Sequence, residues 1–328
     1  MAKGKKEAAP KAASKETVEI AGVTMPRCVL ADSAHAAHLV TPNPDYVWRS
    51  FAFDVCMDIL ENETVMIVGL PSTGKTSVVE QIAAWTGTPL LYTDCEQDTT
   101  LSQVIGDWKL VAGEMVWVDG PLTVAMRHGY IYLFNEFDYA SAGVIGGLNG
   151  VFAPVTNSNP VRRLPLPTGE VVKAHSNFRI LATCNSLGAQ VQYKRMFPNA
   201  RPQNAATLGR FKFYEVSFMT VDEETDMNMR EFSMDSMDRD VREHVRKIVV
   251  VADRCREAFR AGDLTVLVQM RHVMYLIKHI RRHKERHAAA GLNRIKRVED
   301  AIQSVLYPLM QDEDRQTVMG FARSVFGE

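Results

Sequence analysis

The octapeptide GLPSTGKT, residues 69–76, decides how the rest of the chain is read. It fits G-x-x-x-x-G-K-[ST]. It follows the apolar run VMIV (65–68) and opens a helix-patterned segment that reaches Trp85. A strand before and a helix after are the context in which this motif works; a chance loop with a surface lysine would lack both. Backbone N–H groups of such a loop, with the helix N-terminus, wrap the phosphates of a nucleotide. Gly69, Leu70, Pro71, Ser72, Thr73, Gly74, Lys75, Thr76 and Ser77 are therefore expected to hold ATP. Lys75 would reach the β- and γ-phosphates and Thr76 would give its hydroxyl to Mg2+. Ser72 stands where many such loops carry a further glycine.

Outward from the loop, short apolar runs alternate with helical segments. PLLYTD (89–94), YIYLFNE (130–136), FRILATCN (178–185) and KFYEVSF (212–218) read as further strands. Continuous apolar strands separated by helices predict an α/β domain with a parallel sheet covered on both faces. Beyond Thr220 the pattern turns helical. Val241, Val245, Ile248, Ala252, Cys255 and Phe259 step by four and three along one face, and Gly262 suits the stop. A boundary is expected near residue 220: an α/β domain over 19–220, then a small all-helical domain over 221–328. Residues 1–18 are Lys- and Ala-rich, with too little apolar surface to offset the entropy of ordering, and read as a disordered tail.

The strand YIYLFNEFD (130–138) ends in Asn135, Glu136 and Asp138. In phosphate-loop enzymes a strand-end acid supports magnesium and its neighbour polarises the attacking water. Asn135 occupies the first place and Glu136 the second. An amide carbonyl can accept from a magnesium-bound water without carrying charge. Asn135 is thus expected to weaken the metal site without abolishing it, and Asn135→Asp to strengthen it. Asp138, two residues on, would share the side of Glu136 in an extended chain, a poorly aimed substitute.

Composition sets bounds. The formal net charge of −1 gives no global attraction to nucleic acid or anionic lipid. No apolar run approaches the roughly 20 residues of a membrane span. The five scattered cysteines have no metal-ligand spacing and suit a reducing, cytoplasmic compartment. KHIRRHKERH (278–287) is a basic run without interleaved aromatics, which favours a solvated helix face over a nucleic-acid contact. Its histidines, His279, His283 and His287, recur every fourth residue but have no Glu or Cys ligand beside them in sequence, and read as non-metal.

These residues together resemble the MoxR-type AAA+ ATPases, closest in pattern to the small ATPase subunit of aerobic cobalt chelatase and its bacterial and phage relatives. IGDWKLVAGEMVWVDGPLTVAM (105–126) resembles the hairpin that interrupts the second helix in this clade. PTGEVVKAHSNFRILATCNSLG (167–188) resembles its second hairpin and sensor strand, with Asn185 on the sensor residue that helps hold water near the γ-phosphate. QNAATLGRF (203–211) resembles the segment that usually ends Asp-Arg-Phe, here with Gly209 for Asp and with Arg210 on the arginine that acts as a finger on a neighbour's nucleotide. VQMRHVMYLI (268–277) resembles the sensor helix of the lid, with Arg271 on the motif arginine.

What the resemblance implies is a P-loop AAA+ domain with a helix-2 hairpin insertion, a helical lid, and ATP bound between them. Glu136, Asn185, Arg210 and Lys75 would be catalytic, and Thr76 and Asn135 would serve Mg2+. A finger supplied in trans implies a hexameric ring, and the implied work is remodelling or activating a partner protein with a metal-binding adhesion-type domain. Two rival readings remain: a subunit of a metal-chelatase-like complex, and a structural ring or filament that binds nucleotide with little hydrolysis.

Overall fold

The computed structural model describes residues 16–28, 33–186, 197, 200–235 and 238–327. They fall into two compact units. One takes the described residues within 1–42, 48–67 and 76–214; the other takes those within 43–47, 68–75 and 215–328.

The first unit is built on a five-stranded sheet in the order Lys212–Glu215, Val65–Val68, Arg179–Cys184, Ile131–Asn135, Leu90–Asp94. Arg179–Cys184 and Leu90–Asp94 both run parallel to Ile131–Asn135. Lys212 N–H bonds the Thr64 carbonyl and Val216 N–H that of Val68, so this pairing also steps forward in parallel. Val65, Met66 and Ile67 are fully buried, as are Ile180, Ala182 and Tyr132. Burial on both faces is why these strands read as unbroken apolar runs instead of alternating. The edge strand Lys212–Glu215 is the exception. Its residues are largely exposed, and Lys212 pairs with Asp58 at 2.7 Å, which blunts the open edge. The chain leaves Val65–Val68 for the far edge, returns strand by strand, and then crosses to the opposite edge. The order therefore reverses beside Val65–Val68, the place where open α/β sheets take ligands at the strands' C-terminal ends.

Two hairpins project from this frame. Gly106–Val111 pairs with Glu114–Asp119, between the helices Leu101–Ile105 and Pro121–His128. This is the helix interruption that the resemblance implied. At its base a Cβ on Gly106 would lie 2.4 Å from the Val118 carbonyl, so the strands close only around glycine. Trp108 faces Trp117 edge-on across the ladder at 5.8 Å, and Leu110, Val111, Met115 and Val116 are exposed. The second hairpin pairs Arg163–Pro165 with Val171–Lys173. Arg127 joins the two: its Nε donates to Asp119 and its two terminal nitrogens to Glu170, all within 2.8 Å.

Order begins earlier than the composition suggested. Residues 1–15 of the expected tail lie outside the described residues, but Thr17–Ile20 pairs with Val23–Pro26. Ile20, Val23 and Met25 are buried. Ala21 and Gly22, at φ +51° and +83°, make the left-handed two-residue turn that a tight hairpin needs. The alternation was present in VEIAGVTM, hidden behind the lysine-rich stretch.

The second unit is helical: Val221–Glu231, Arg239–Ala261, Met270–Arg282, Lys284–Ala289, Arg294–Val305 and Asp312–Phe326. Val245, Ile248, Ala252 and Cys255 of the long helix are buried as their spacing predicted, while Val241 and Phe259 lie nearer its rim. Thr220 and Glu223 form a capping box at the first helix, and Gly262 stops the second at φ +89°. Arg256 and Glu224 form a fully buried two-pronged ion pair at 2.6 and 3.0 Å. Arg256 also bonds the Val268 carbonyl and stacks on Phe218. With each guanidinium nitrogen bonded and its partner fixed, the buried charge is compensated instead of orphaned. Among the described residues no helix is long and apolar enough to cross a membrane.

Candidate functional site

The phosphate loop is shaped by close backbone approach. A Cβ on Gly69 would lie 2.2 Å from the Val216 carbonyl, so this position admits glycine alone. Gly74 has φ +89° with open space around it, and needs glycine for conformation only. Ser72, the departure from the usual loop, sits at φ +66°, where a non-glycine residue costs about 1 kcal/mol or more. Its hydroxyl has a use that glycine would forgo. Ser72 Oγ accepts from the backbone N–H of Arg271 at 3.2 Å, one of the first-turn donors of Met270–Arg282 that has no intrahelical acceptor. Lys75 is buried, and its ammonium donates to the carbonyls of Gly69 and Leu70 at 2.8 and 2.9 Å. Thr73 Oγ1 donates to the same Leu70 carbonyl at 2.8 Å. A glycine-tight cradle around a buried ammonium fits a polyphosphate. Ser77, one residue into the helix beyond Thr76, is exposed.

In the first unit the ends of neighbouring strands gather the polar groups. Thr76 Oγ1 donates to Asn135 Oδ1 at 3.0 Å, and Thr183 Oγ1 donates to the same oxygen at 2.6 Å. On its other side Asn135 Nδ2 donates to Asp94 Oδ1 at 2.7 Å, since the sheet register sets Asp94 opposite Asn135. Thr76, Asn135 and Glu136 offer a hydroxyl, a carbonyl and a carboxylate. An all-oxygen set of this kind suits magnesium.

The strand ends at Asn135, and Glu136 turns it. Glu136 has φ +54° and ψ +46°, a left-handed conformation of the kind held under strain at functional sites, with its N–H on Thr183 Oγ1 at 3.4 Å. Phe137–Tyr139 then forms a short 3-10 turn. This corrects the extended-chain expectation for Asp138. The turn drives Asp138 into the interior, fully buried, and away from any metal role. Asp138 Oδ2 accepts from Ser186 N–H at 3.0 Å and Ser186 Oγ at 3.3 Å, and the backbone of Asn185 also bonds the carboxylate. Burial raises the Asp138 pKa while these hydrogen bonds draw it back. Asp138 thus ties the carboxylate strand to the bend that carries Asn185. Residues 187–196, which follow that bend, lie outside the described residues.

Arg210 stands apart from this cluster. It follows the short helix Ala205–Leu208, and its guanidinium donates to the Ala206 carbonyl one turn back. Gly209 has ordinary helical dihedrals and no neighbour that demands glycine, so the lost aspartate leaves no conformational trace. Arg271 is exposed in the first turn of the helix Met270–Arg282 of the second unit.

The basic run 278–287 folds as two helices that meet at His283, and the fold brings it an acid that sequence spacing concealed. Asp300 Oδ2 accepts from His279 Nε2 and His287 Nε2, both at 2.9 Å, and from Arg286 at 2.7 Å. These groups lie close enough to hold a metal ion, yet a divalent ion would have to displace a guanidinium. Ligation through Nε2 would also leave the His287 proton on Nδ1, a buried atom with no partner among the described residues. The arrangement is a hydrogen-bonded knot between helices.

Two members of the strand-end cluster escape sequence reading. Asp94 and Thr183 are unremarkable strand termini until the register sets them on either side of Asn135.

The AAA domain (dynein-related subfamily) matches residues 64–201. Protein NorQ of Paracoccus denitrificans is 31% identical over 265 residues, covering 80% of this chain and 86% of NorQ. The aerobic cobaltochelatase subunit CobS of Sinorhizobium is 26% identical over 262 residues, covering 78% and 77%. A solved chain from Cytophaga hutchinsonii aligns over 87% of this chain and 82% of its own, with a TM-score of 0.43 and 14% identity.

Proposed function

The chain belongs to the MoxR-type AAA+ ATPases, and from that premise we propose that it is a magnesium-dependent ATP hydrolase that works as a ring and remodels or activates a partner protein. The observation that carries this reading is the chain of contacts Thr76–Asn135–Thr183 at the strand ends, one residue after the buried Lys75. It joins the end of the phosphate motif to the carboxylate strand and to the strand that leads into Asn185.

In this reading the loop amides and Lys75 bind the phosphates, the Lys75 ammonium leaving the Gly69 and Leu70 carbonyls for phosphate oxygens. Bound magnesium would neutralise charge on the β- and γ-phosphates, with Thr76 and Asn135 as its protein contacts. Glu136, held out by its left-handed turn, orients water and takes its proton. Asn185, fixed through Asp138, steadies the same water. Arg210 and Arg271 serve the nucleotide from a neighbouring subunit and from the lid. The apolar hairpin around Trp108 and Leu110 offers a surface for the partner. A partner with a metal-binding adhesion-type domain is the one the resemblance implies.

The test is phosphate release against magnesium concentration, with ATP binding followed by calorimetry. Lys75→Ala is expected to lose at least about tenfold in ATP affinity, because it removes a charge-assisted contact. Glu136→Gln is expected to keep ATP and release no phosphate. If the wild type at saturating magnesium releases no more than Glu136→Gln, the hydrolase reading fails. The similarity to CobS supports a second reading, a subunit of a metal-inserting complex. Copurification with large chelatase subunits would favour it.

A further inference from the structure

Resting on the ATPase reading, we propose that Asp94 is the positioning residue of the magnesium site, supplying through Asn135 the negative charge that residue 135 lacks.

Three observations meet here. Asn135 Nδ2 donates to Asp94 Oδ1 at 2.7 Å, a charge-assisted hydrogen bond set by the register that places the two residues opposite each other on parallel strands. Asn135 Oδ1 takes both the Thr76 and the Thr183 hydroxyls. Asp94 itself is exposed, so placing a carboxylate there carries no cost of burial.

The chemistry follows from what each group can do. An amide can turn over end for end, and its carbonyl and NH2 have nearly the same shape. A carboxylate only accepts hydrogen bonds, so Asp94 selects the NH2 end of Asn135. The carbonyl is then held toward Thr76, the residue expected on the metal. Electron density drawn by the carboxylate–amide contact makes that carbonyl a stronger acceptor, since hydrogen bonds in a chain polarise one another. The pair Asp94–Asn135 thereby presents one oxygen and one negative charge, split over two strands, where a single aspartate would present both. Asp94 touches neither nucleotide nor metal in this account, and acts through the amide.

The split reverses the expectation drawn from the sequence for Asn135→Asp. A carboxylate at that position would set acceptor against acceptor and like charge against like charge. The exchange should weaken the site unless Asp94 is neutralised as well.

The experiment measures binding of a non-hydrolysable ATP analogue to the full chain by calorimetry, with magnesium titrated in and with EDTA present. Melting temperatures confirm that each variant is folded. Asp94→Asn is expected to weaken magnesium-dependent binding by roughly tenfold, the scale of an outer-shell partner's loss, and to leave binding in EDTA unchanged. Asn135→Asp alone is expected to weaken it as well. The double variant Asp94→Asn/Asn135→Asp, which moves the charge across the pair, is expected to restore it. Manganese, read by its electron paramagnetic resonance signal on mixing with nucleotide-loaded protein, should follow the same order. If Asp94→Asn leaves the magnesium dependence unchanged, or if Asn135→Asp alone tightens it, the proposal is overturned. Weakening that the double variant does not restore overturns it too, since the carboxylate would then matter apart from its amide partner. A wild type that binds no nucleotide under either condition would sink the ATPase reading and this assignment with it.

Discussion

At the scale of single residues, two glycines of the phosphate loop are required for different reasons, and substitution separates them. Gly69 is pressed against the Val216 carbonyl, whereas Gly74 faces open space at φ +89°. Gly69→Ala must push backbone aside, which costs roughly 1–3 kcal/mol as overpacking does, and it should also distort the cradle. Gly74→Ala should cost only the left-handed strain of an alanine, about 1–2 kcal/mol. The expected outcome is a lower melting temperature for both, with the larger loss of ATP affinity in Gly69→Ala. Equal affinity losses in the two variants would contradict the close-approach account. Ser72 extends the same logic. The strained serine gives the Arg271 N–H an acceptor that glycine would not supply, and no inspection of the loop alone would find it.

At the scale of elements, the helices around Asp300 make a pH-dependent prediction. Partial burial by itself would raise the Asp300 pKa, but hydrogen bonds from His279 and His287 and the charge of Arg286 bring it down to about 2. The folded-state value is below the ordinary carboxylate value of 3.8, so this group's stabilisation is present above 3.8 and is lost as pH falls through about 2. After allowance for solvent screening it is worth about 1 kcal/mol. Asp300→Asn should therefore lower the urea midpoint near pH 7, and the gap to wild type should shrink steadily from pH 4 toward pH 2. A gap that stays constant over that range would show that the knot stabilises by packing and not by charge. The hairpins obey a related rule at this scale. Arg127, between Asp119 and Glu170, links two elements whose residues lie some way apart in sequence.

At the scale of the whole molecule, the proposed ring assigns Arg210 a role outside its own subunit. Its guanidinium donates to the Ala206 carbonyl, and among the described residues it joins none of the strand-end contacts. In a ring, each site would need the Arg210 of a neighbour, which requires a heterologous interface that closes. Mixing Arg210→Ala subunits with Glu136→Gln subunits should restore part of the turnover, because some boundaries then combine an intact glutamate with an intact arginine. Native mass spectrometry verifies that mixed rings form. Mixed rings with no turnover at any ratio would remove Arg210 from the finger role.

The strand–GLPSTGKT–helix order, the apolar strands and the three–four spacing of the long helix were legible because each depends on a local rule: backbone geometry, two-sided burial, one-sided burial. The phosphate loop followed from those rules, and the family from the resemblance its motifs carry. Asn135 was also legible, but its meaning was not. That Asp94 meets Asn135, that Asp138 turns inward to hold the bend at Asn185, and that Asp300 meets two histidines all depend on register and on turns such as the left-handed Glu136. Such contacts join residues far apart in the chain. Local propensity carries no information about them, because only the packed sheet and helices decide which strand ends and helix faces meet.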